Sequence, residues 1–135
     1  MKKLLLALSA TTLFACGTAP GASTSATAAA SAAPVQIVDT AAGKVYADAT
    51  SGLTLYTYDH DTTSASTCYL ACARAWPALL SPATTLAVPF AVSARTDGTK
   101  QVVLNGHPLY TYAGDAAKGD ILGDGLGGIW HVAKP

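Results

Sequence analysis

Glutamate is absent from this chain; all eight acidic residues are Asp. Glu is a good helix former, whereas Thr, Val and Tyr suit pleated strands and Gly suits turns. Its absence, beside frequent Thr, Val, Tyr and Gly, points toward strands and turns. Charge is also scarce, at 12% of residues. With no cluster of Lys or Arg, nucleic-acid binding has no electrostatic basis. The apolar run from Leu4 to Phe14 falls short of the ~20 residues a membrane-spanning helix needs. No Cys-Xaa-Xaa-Cys-His stands ready for haem. The Gly-rich stretch GDGLGG follows no strand-to-helix pattern, so it is not a phosphate loop. No Ser nucleophile with a matching His and Asp is identifiable from the sequence.

What stands at the start reads as an export signal. Lys2 and Lys3 precede the short apolar run, and residues 1–15 form the expected signal peptide. Leu13-Phe14-Ala15-Cys16 resembles a bacterial lipobox, which implies cleavage before Cys16 and lipidation of its thiol. The cysteine count agrees: three is odd for an exported chain, and assigning Cys16 to lipid leaves the pair Cys68 and Cys72. Residues 17–34 carry only small side chains and no charge. They cannot bury enough apolar surface to offset ordering, so residues 16–34 are expected to form a lipidated flexible tether with a reach of roughly 20–25 Å. Gly17 is not an Asp retention signal, which favours outward sorting if there are two membranes. Residues 35–135 then make one small domain. Without Lys2 and Lys3, six basic groups face eight Asp, a net charge near −2.

An internal repeat is the strongest signal. Gly52, Leu55, Tyr56, Thr57, Tyr58, Asp61 and Trp76 recur as Gly106, Leu109, Tyr110, Thr111, Tyr112, Asp115 and Trp130, all at an offset of 54. Each copy reads as a β-hairpin. KVYADAT meets GLTLYTY around Ser51-Gly52, and KQVVL meets HPLYTY around Asn105-Gly106, a dipeptide suited to two positive φ angles. Asp97-Gly98 joins PFAVSAR to KQVVL, which makes residues 89–112 a three-strand meander; GIWHVA is the expected last strand. Pro108 should face an unpaired edge. The expected fold is a mainly β, small antiparallel-sheet domain of two pseudo-symmetric repeats, about 43–80 and 95–135, with one short helix around residues 68–75. Side-chain alternation puts Tyr56 and Tyr58 on one face, and Tyr110 and Tyr112 likewise. Packed together, the two halves bury an aromatic core with Trp76 and Trp130. Buried hydroxyls need partners, and Asp61 and Asp115 stand just beyond the strand ends.

Tyr56-Thr57-Tyr58-Asp59-His60-Asp61 and Tyr110-Thr111-Tyr112-Ala113-Gly114-Asp115 both fit Tyr-Xaa-(Phe/Trp/Tyr)-Xaa-Xaa-Asp. After a lipobox, that motif resembles the secreted-repeat bacterial lipoproteins. Cys68, Cys72, Ala73, Trp76 and Pro77, and the Gly-rich stretch before Trp130, extend the resemblance over about residues 43–135. It implies an exported envelope protein and no defined chemistry.

Cys68 and Cys72 lie four apart in a segment suited to one or two helical turns before Pro77, a spacing that a disulfide tolerates. In an exported protein a disulfide is the default. The alternative is a copper or thiol-redox site, with His60, His107 and His131 as available imidazoles and Cys68, Cys72 and His60 as the named ligands. Asp59, His60 and Asp61 look like a ligand cluster, but only Asp61 recurs in the second copy, which favours turn formation. Asp120 and Asp124 lack calcium-loop spacing. The expectation is a lipid-anchored module of the bacterial cell envelope, at its periplasmic or extracellular face. It is expected to be non-enzymatic and without cofactor, and to bind an envelope protein, the cell wall or a small molecule through its aromatic-rich surface.

Overall fold

The computed structural model describes residues 17, 21 and 29–135. The expected signal peptide, Cys16 and most of the tether lie outside the described residues. Among the described residues, seven strands and one helix follow in chain order: β1 (Val35–Thr40), β2 (Gly43–Asp48), β3 (Tyr56–Tyr58), α1 (Ala71–Ala75), β4 (Phe90–Ala94), β5 (Lys100–Leu104), β6 (His107–Pro108) and β7 (Trp130–Val132). They form antiparallel sheets β1-β2, β3-β7 and β4-β5-β6. A 3-10 turn at Leu126–Gly128 precedes β7.

The meander is the part that local chemistry dictates most directly. At the β4–β5 turn, Gly98 takes φ +84°, and the Asp97 carboxylate accepts from both the amide and the hydroxyl of Thr99. At the β5–β6 turn, Asn105 and Gly106 take φ 49° and 86°, as a two-residue hairpin requires. Pro108 sits on β6, the edge strand of its sheet. The Leu109 amide beside it donates to Val102, and the Tyr110 amide donates the other way to Tyr56. Alternation thus turns the missing donor of Pro108 away from β5.

Three features in and around the first copy add to the expected outline. β2 does meet residues 53–55, through Asp48 N–H to Leu53 O (2.9 Å) and Leu55 N–H to Tyr46 O (2.9 Å). On its other edge, however, it pairs along its length with β1, a β-branched strand that the hairpin reading left out. Second, α1 covers Ala71–Ala75, the short helix expected around residues 68–75. Leu70 has φ 54°, which sets the helix start and leaves Cys68 in the irregular backbone before it. Third, Ser31 forms a parallel bridge with Leu86, its amide donating to Thr85 and its carbonyl accepting from Ala87. Among the described residues, backbone pairing thus includes Ser31, ahead of β1.

The repeats are intertwined. β3 belongs to the first repeat and β7 to the second, and they pair Tyr58 with Trp130 and Tyr56 with Val132. The reciprocal contact joins the second repeat's Tyr110 to Ala78, with Thr111 N–H to Pro77 O (2.9 Å) and Ala113 N–H to Ala75 O (2.8 Å). Ala133 closes a ring of three backbone bonds with Leu55 and Tyr46, as Leu79 does with Leu109 and Val102. Between the two halves, Tyr56 and Tyr110 exchange backbone bonds of 2.8 and 3.0 Å. A local twofold relation passes between these two residues.

Alternation sorts the residues around the motif into two clusters, beside a smaller third of Val38, Val45 and Ala47 on β1 and β2. Leu55 and Leu109 point into an aliphatic cluster with Leu79, Leu86, Val102, Leu104 and Ala133. Their neighbours Tyr56 and Tyr110 point into an aromatic cluster with Cys68, Trp76 and Trp130. Each fully buried Leu contributes roughly 1.5–3 kcal/mol. Gly123 packs against the aromatic cluster so closely that an added Cβ would stand 2.7 Å from the Trp76 ring and 3.0 Å from Tyr56. Gly123→Ala should therefore cost about 1–3 kcal/mol by overpacking, read as a lowered urea midpoint. A midpoint equal to the parent's would show that the rings can yield.

Candidate functional site

The motif residues converge on one place, and they do so across the repeat boundary. Tyr56 OH, in the first repeat, donates to Asp115 Oδ2 at 2.7 Å in the second. Tyr110 OH, in the second, donates to Asp61 Oδ2 at 2.6 Å in the first. Each aspartate uses its other oxygen on its own loop. Asp61 Oδ1 accepts from Thr67 N–H at 2.7 Å, and Asp115 Oδ1 accepts from Leu122 N–H at 3.0 Å. One carboxylate thus ties the loop of one repeat to the strand of the other.

Both phenols also accept. Gly123 N–H approaches Tyr56 Oη at 3.3 Å. Ser66 Oγ lies 2.6 Å from Tyr110 Oη. Since the Tyr110 proton goes to a carboxylate, Ser66 is the donor in that bond. Ser66 in turn accepts from Cys68 N–H and from Arg95 Nη1. Arg95 is buried, with Nη1 also 2.6 Å from Gln101 Oε1, Nη2 2.9 Å from Cys68 O, and its guanidinium 4.3 Å above the Tyr69 ring. Ser66, Arg95 and Gln101 escaped the sequence reading, because they belong to one copy only and carry no motif.

The rings form a column. Trp76 and Trp130 stack with centroids 3.7 Å apart and planes 3° apart. Tyr58 stacks on the outer face of Trp130 at 4.2 Å, and Tyr112 packs on Trp76 at 4.4 Å. Tyr56 and Tyr110 meet Trp76 and Trp130 edge-on, each at 5.3 Å. Each of these contacts has its counterpart under exchange of the repeats. Such pairs are worth about 0.5–1.5 kcal/mol each beyond the area they bury. At the outer ends the copies differ. His60 stacks on Tyr58 at 5.2 Å, whereas Gly114 lies so close to the Tyr112 ring that a Cβ would collide with it.

Cys68 and Cys72 are joined in a disulfide, with Cα atoms 5.2 Å apart. The thiolates that a copper site would use are consumed in that bond. Asp59, His60 and Asp61 do not converge. Asp59 faces His131 Nε2 at 2.9 Å, His60 lies on Tyr58, and Asp61 serves Tyr110 and Thr67. Among the described residues, no three His, Cys, Asp or Glu side chains gather as a ligand set, and no pocket opens. Asp120 accepts from the Ala116 and Ala117 amides, and Asp124 from the Val132 amide, so both serve local structure.

Burial, reinforced by the adjoining carboxylates, pushes the Tyr56 and Tyr110 phenols well above their ordinary range. Burial also lifts the Asp115 carboxyl, outweighing the bonds from Tyr56 and the Leu122 amide. The hydroxyl and amide of Thr99 hold Asp97 below its ordinary value, and the Ala117 and Ala116 amides do the same for Asp120. Stability supplied by Asp97 and Asp120 is present above the ordinary carboxylate value and fades as pH falls through the depressed one. Asp115 acts in the opposite sense. The native state takes up its proton first, so this group adds stability as pH falls through its raised value toward 3.8.

Two outcomes are expected. Asp115→Ala should cost about 2–3 kcal/mol and the less buried Asp61→Ala about 1–2 kcal/mol in urea denaturation, because each strands a phenol and a loop amide. Parent-like midpoints would remove the aspartates from the fold's support. The stability difference between wild type and Asp115→Asn should shift in favour of wild type as pH is lowered from neutrality toward about 4, the contributions of Asp97 and Asp120 cancelling between the two proteins. A shift toward the Asn variant would contradict the raised carboxyl.

Searches against curated proteins and against solved structures find no match for this chain. A family model does match, twice, over residues 36–80 and 91–134, and each segment spans one of the intertwined repeats described above. The chain belongs to the family described as a secreted repeat of unknown function, a description that implies export.

Proposed function

We propose that this protein is a lipid-anchored lipoprotein of the bacterial cell envelope whose folded domain acts without catalysis, as a binding or structural module. The observation that carries this reading is the internal use of the repeated motif's polar groups. Both oxygens of Asp61 and of Asp115 accept bonds from the protein itself, and both buried phenols donate to them. Groups so engaged support architecture, and they are poorly placed to act as a general acid or base on an outside substrate. The signal-like start and Leu13-Phe14-Ala15-Cys16 supply the anchor. Recognition then falls to the surface: an envelope protein, the cell wall or a small molecule, met at the periplasmic or extracellular face.

In a lipidating host, the full chain should sediment with membranes and carry acyl mass on Cys16. Cys16→Ser should lose both properties. A wild-type chain that stays soluble and unacylated overturns the anchor. A catalytic activity lost in Asp61→Asn or Asp115→Asn proteins that melt like the parent overturns the non-catalytic reading.

A further inference from the structure

The column of rings has features that packing alone does not demand. Phe would fill the places of Tyr56 and Tyr110 and need no carboxylate beside it. Instead the core buries two phenols and brings a carboxylate to each at 2.7 and 2.6 Å, at the cost of partly desolvating two charges. These are also the rings that touch the tryptophan stack edge-on. The stack continues to Tyr58 and Tyr112, which are half-buried and reach the surface. An uninterrupted path of ring contacts, none longer than the 5.3 Å of the edge-on pairs, therefore links the surface to two buried phenol–carboxylate pairs.

We propose that this column is a one-electron relay, which takes an oxidising equivalent from a small radical or other one-electron oxidant at its exposed rings and deposits it on Tyr110 or Tyr56. Indole rings give up an electron to such oxidants, and stacked indoles share the resulting vacancy. A phenol is a lower resting place only if its proton can leave as its electron does. In water the solvent takes that proton; inside this core the aspartate is the one carboxylate base in contact with each phenol. The oxidant gains one electron and the tyrosine loses one. The Tyr110 O–H bond breaks, and its proton forms an O–H bond on Asp61 Oδ2. Phenol and carboxylate become neutral phenoxyl radical and carboxylic acid, with the negative charge now on the reduced oxidant. Tyr56 and Asp115 form the equivalent pair. Ser66 and Gly123 N–H, which donate to the two phenolic oxygens, stay in place throughout.

The test uses the full chain and a photo-oxidised ruthenium tris-bipyridine complex with a sacrificial acceptor, followed by transient absorption and freeze-quench spin resonance. In wild type, an indolyl radical should form first and decay into a tyrosyl radical, more slowly in heavy water because a proton moves with the electron. Tyr56→Phe/Tyr110→Phe keeps the ring packing and should lose the tyrosyl signal, leaving the radical on indole. Trp130→Phe should slow its appearance. Asp61→Asn/Asp115→Asn, where it folds, should also lose the signal. A tyrosyl radical that persists in the double Phe variant, and so sits on a tyrosine outside the pairs such as Tyr46 or Tyr69, overturns the proposal. So does a wild-type radical that never leaves indole, or a transfer indifferent to heavy water.

Discussion

The architecture depends on a bond that no single repeat can make. The first tyrosine of each motif finds its carboxylate in the other copy, and the segments that carry Trp130 and follow Trp76 find their pairing partners there as well. A repeat on its own would hold a buried-type phenol without an acceptor, a carboxylate without a donor, and an aromatic face open to water. Those deficits disappear together when the copies interlock. About fifty residues rarely build a self-sufficient core, and crossing the two copies answers that limit by sharing one.

Symmetry at the centre gives way to difference at the rim. The exchanged tyrosine backbones, the tryptophan stack and the tyrosine–aspartate pairs are common to both copies. The loops that follow the aspartates are not. After the Thr67 amide that binds Asp61 comes Cys68, buried in the aromatic cluster and bonded to Cys72. After the Leu122 amide that binds Asp115 comes Gly123, flush against Trp76 and Tyr56. One loop fills its place with a clipped side chain braced by Arg95; the other fills it by letting the rings approach the backbone. Evolving a surface on one loop need not disturb the other, since what they share is inside.

The sequence was legible where information is local. Asn105-Gly106 and Asp97-Gly98 announced their turns through φ requirements, and the period of two placed Leu55 and Tyr56 on opposite faces. The repeat announced a shared aromatic core, and the positions of Asp61 and Asp115 announced hydroxyl partners. Crossing was not legible. An offset of 54 is the same whether each Asp serves its own Tyr or its counterpart's, and only strand pairing between Tyr58 and Trp130 decides it. Nor was the limit of α1, because Leu is an ordinary helix former and its positive φ is imposed by the loop around it. Arg95 looked like a strand end; its burial comes from Ser66, Gln101 and the Cys68 carbonyl, scattered along the chain.

Hydrophobic matching alone does not choose crossing over two separate hairpins, since the same rings could collapse in several ways. A carboxylate inside an aromatic cluster is more selective. Asp115 is 6% exposed, and its two oxygens are satisfied only when Tyr56 of one copy and the Leu122 amide of the other arrive together. A packing that buries this carboxylate away from a phenol and the Leu122 amide leaves the charge without partners, a cost of several kcal/mol against a domain stability of about 5–15 kcal/mol. The motif's acid therefore reads as a specificity element. It adds little net stability where it is satisfied, yet it penalises the alternatives heavily enough that the tyrosines and tryptophans interlock in one way.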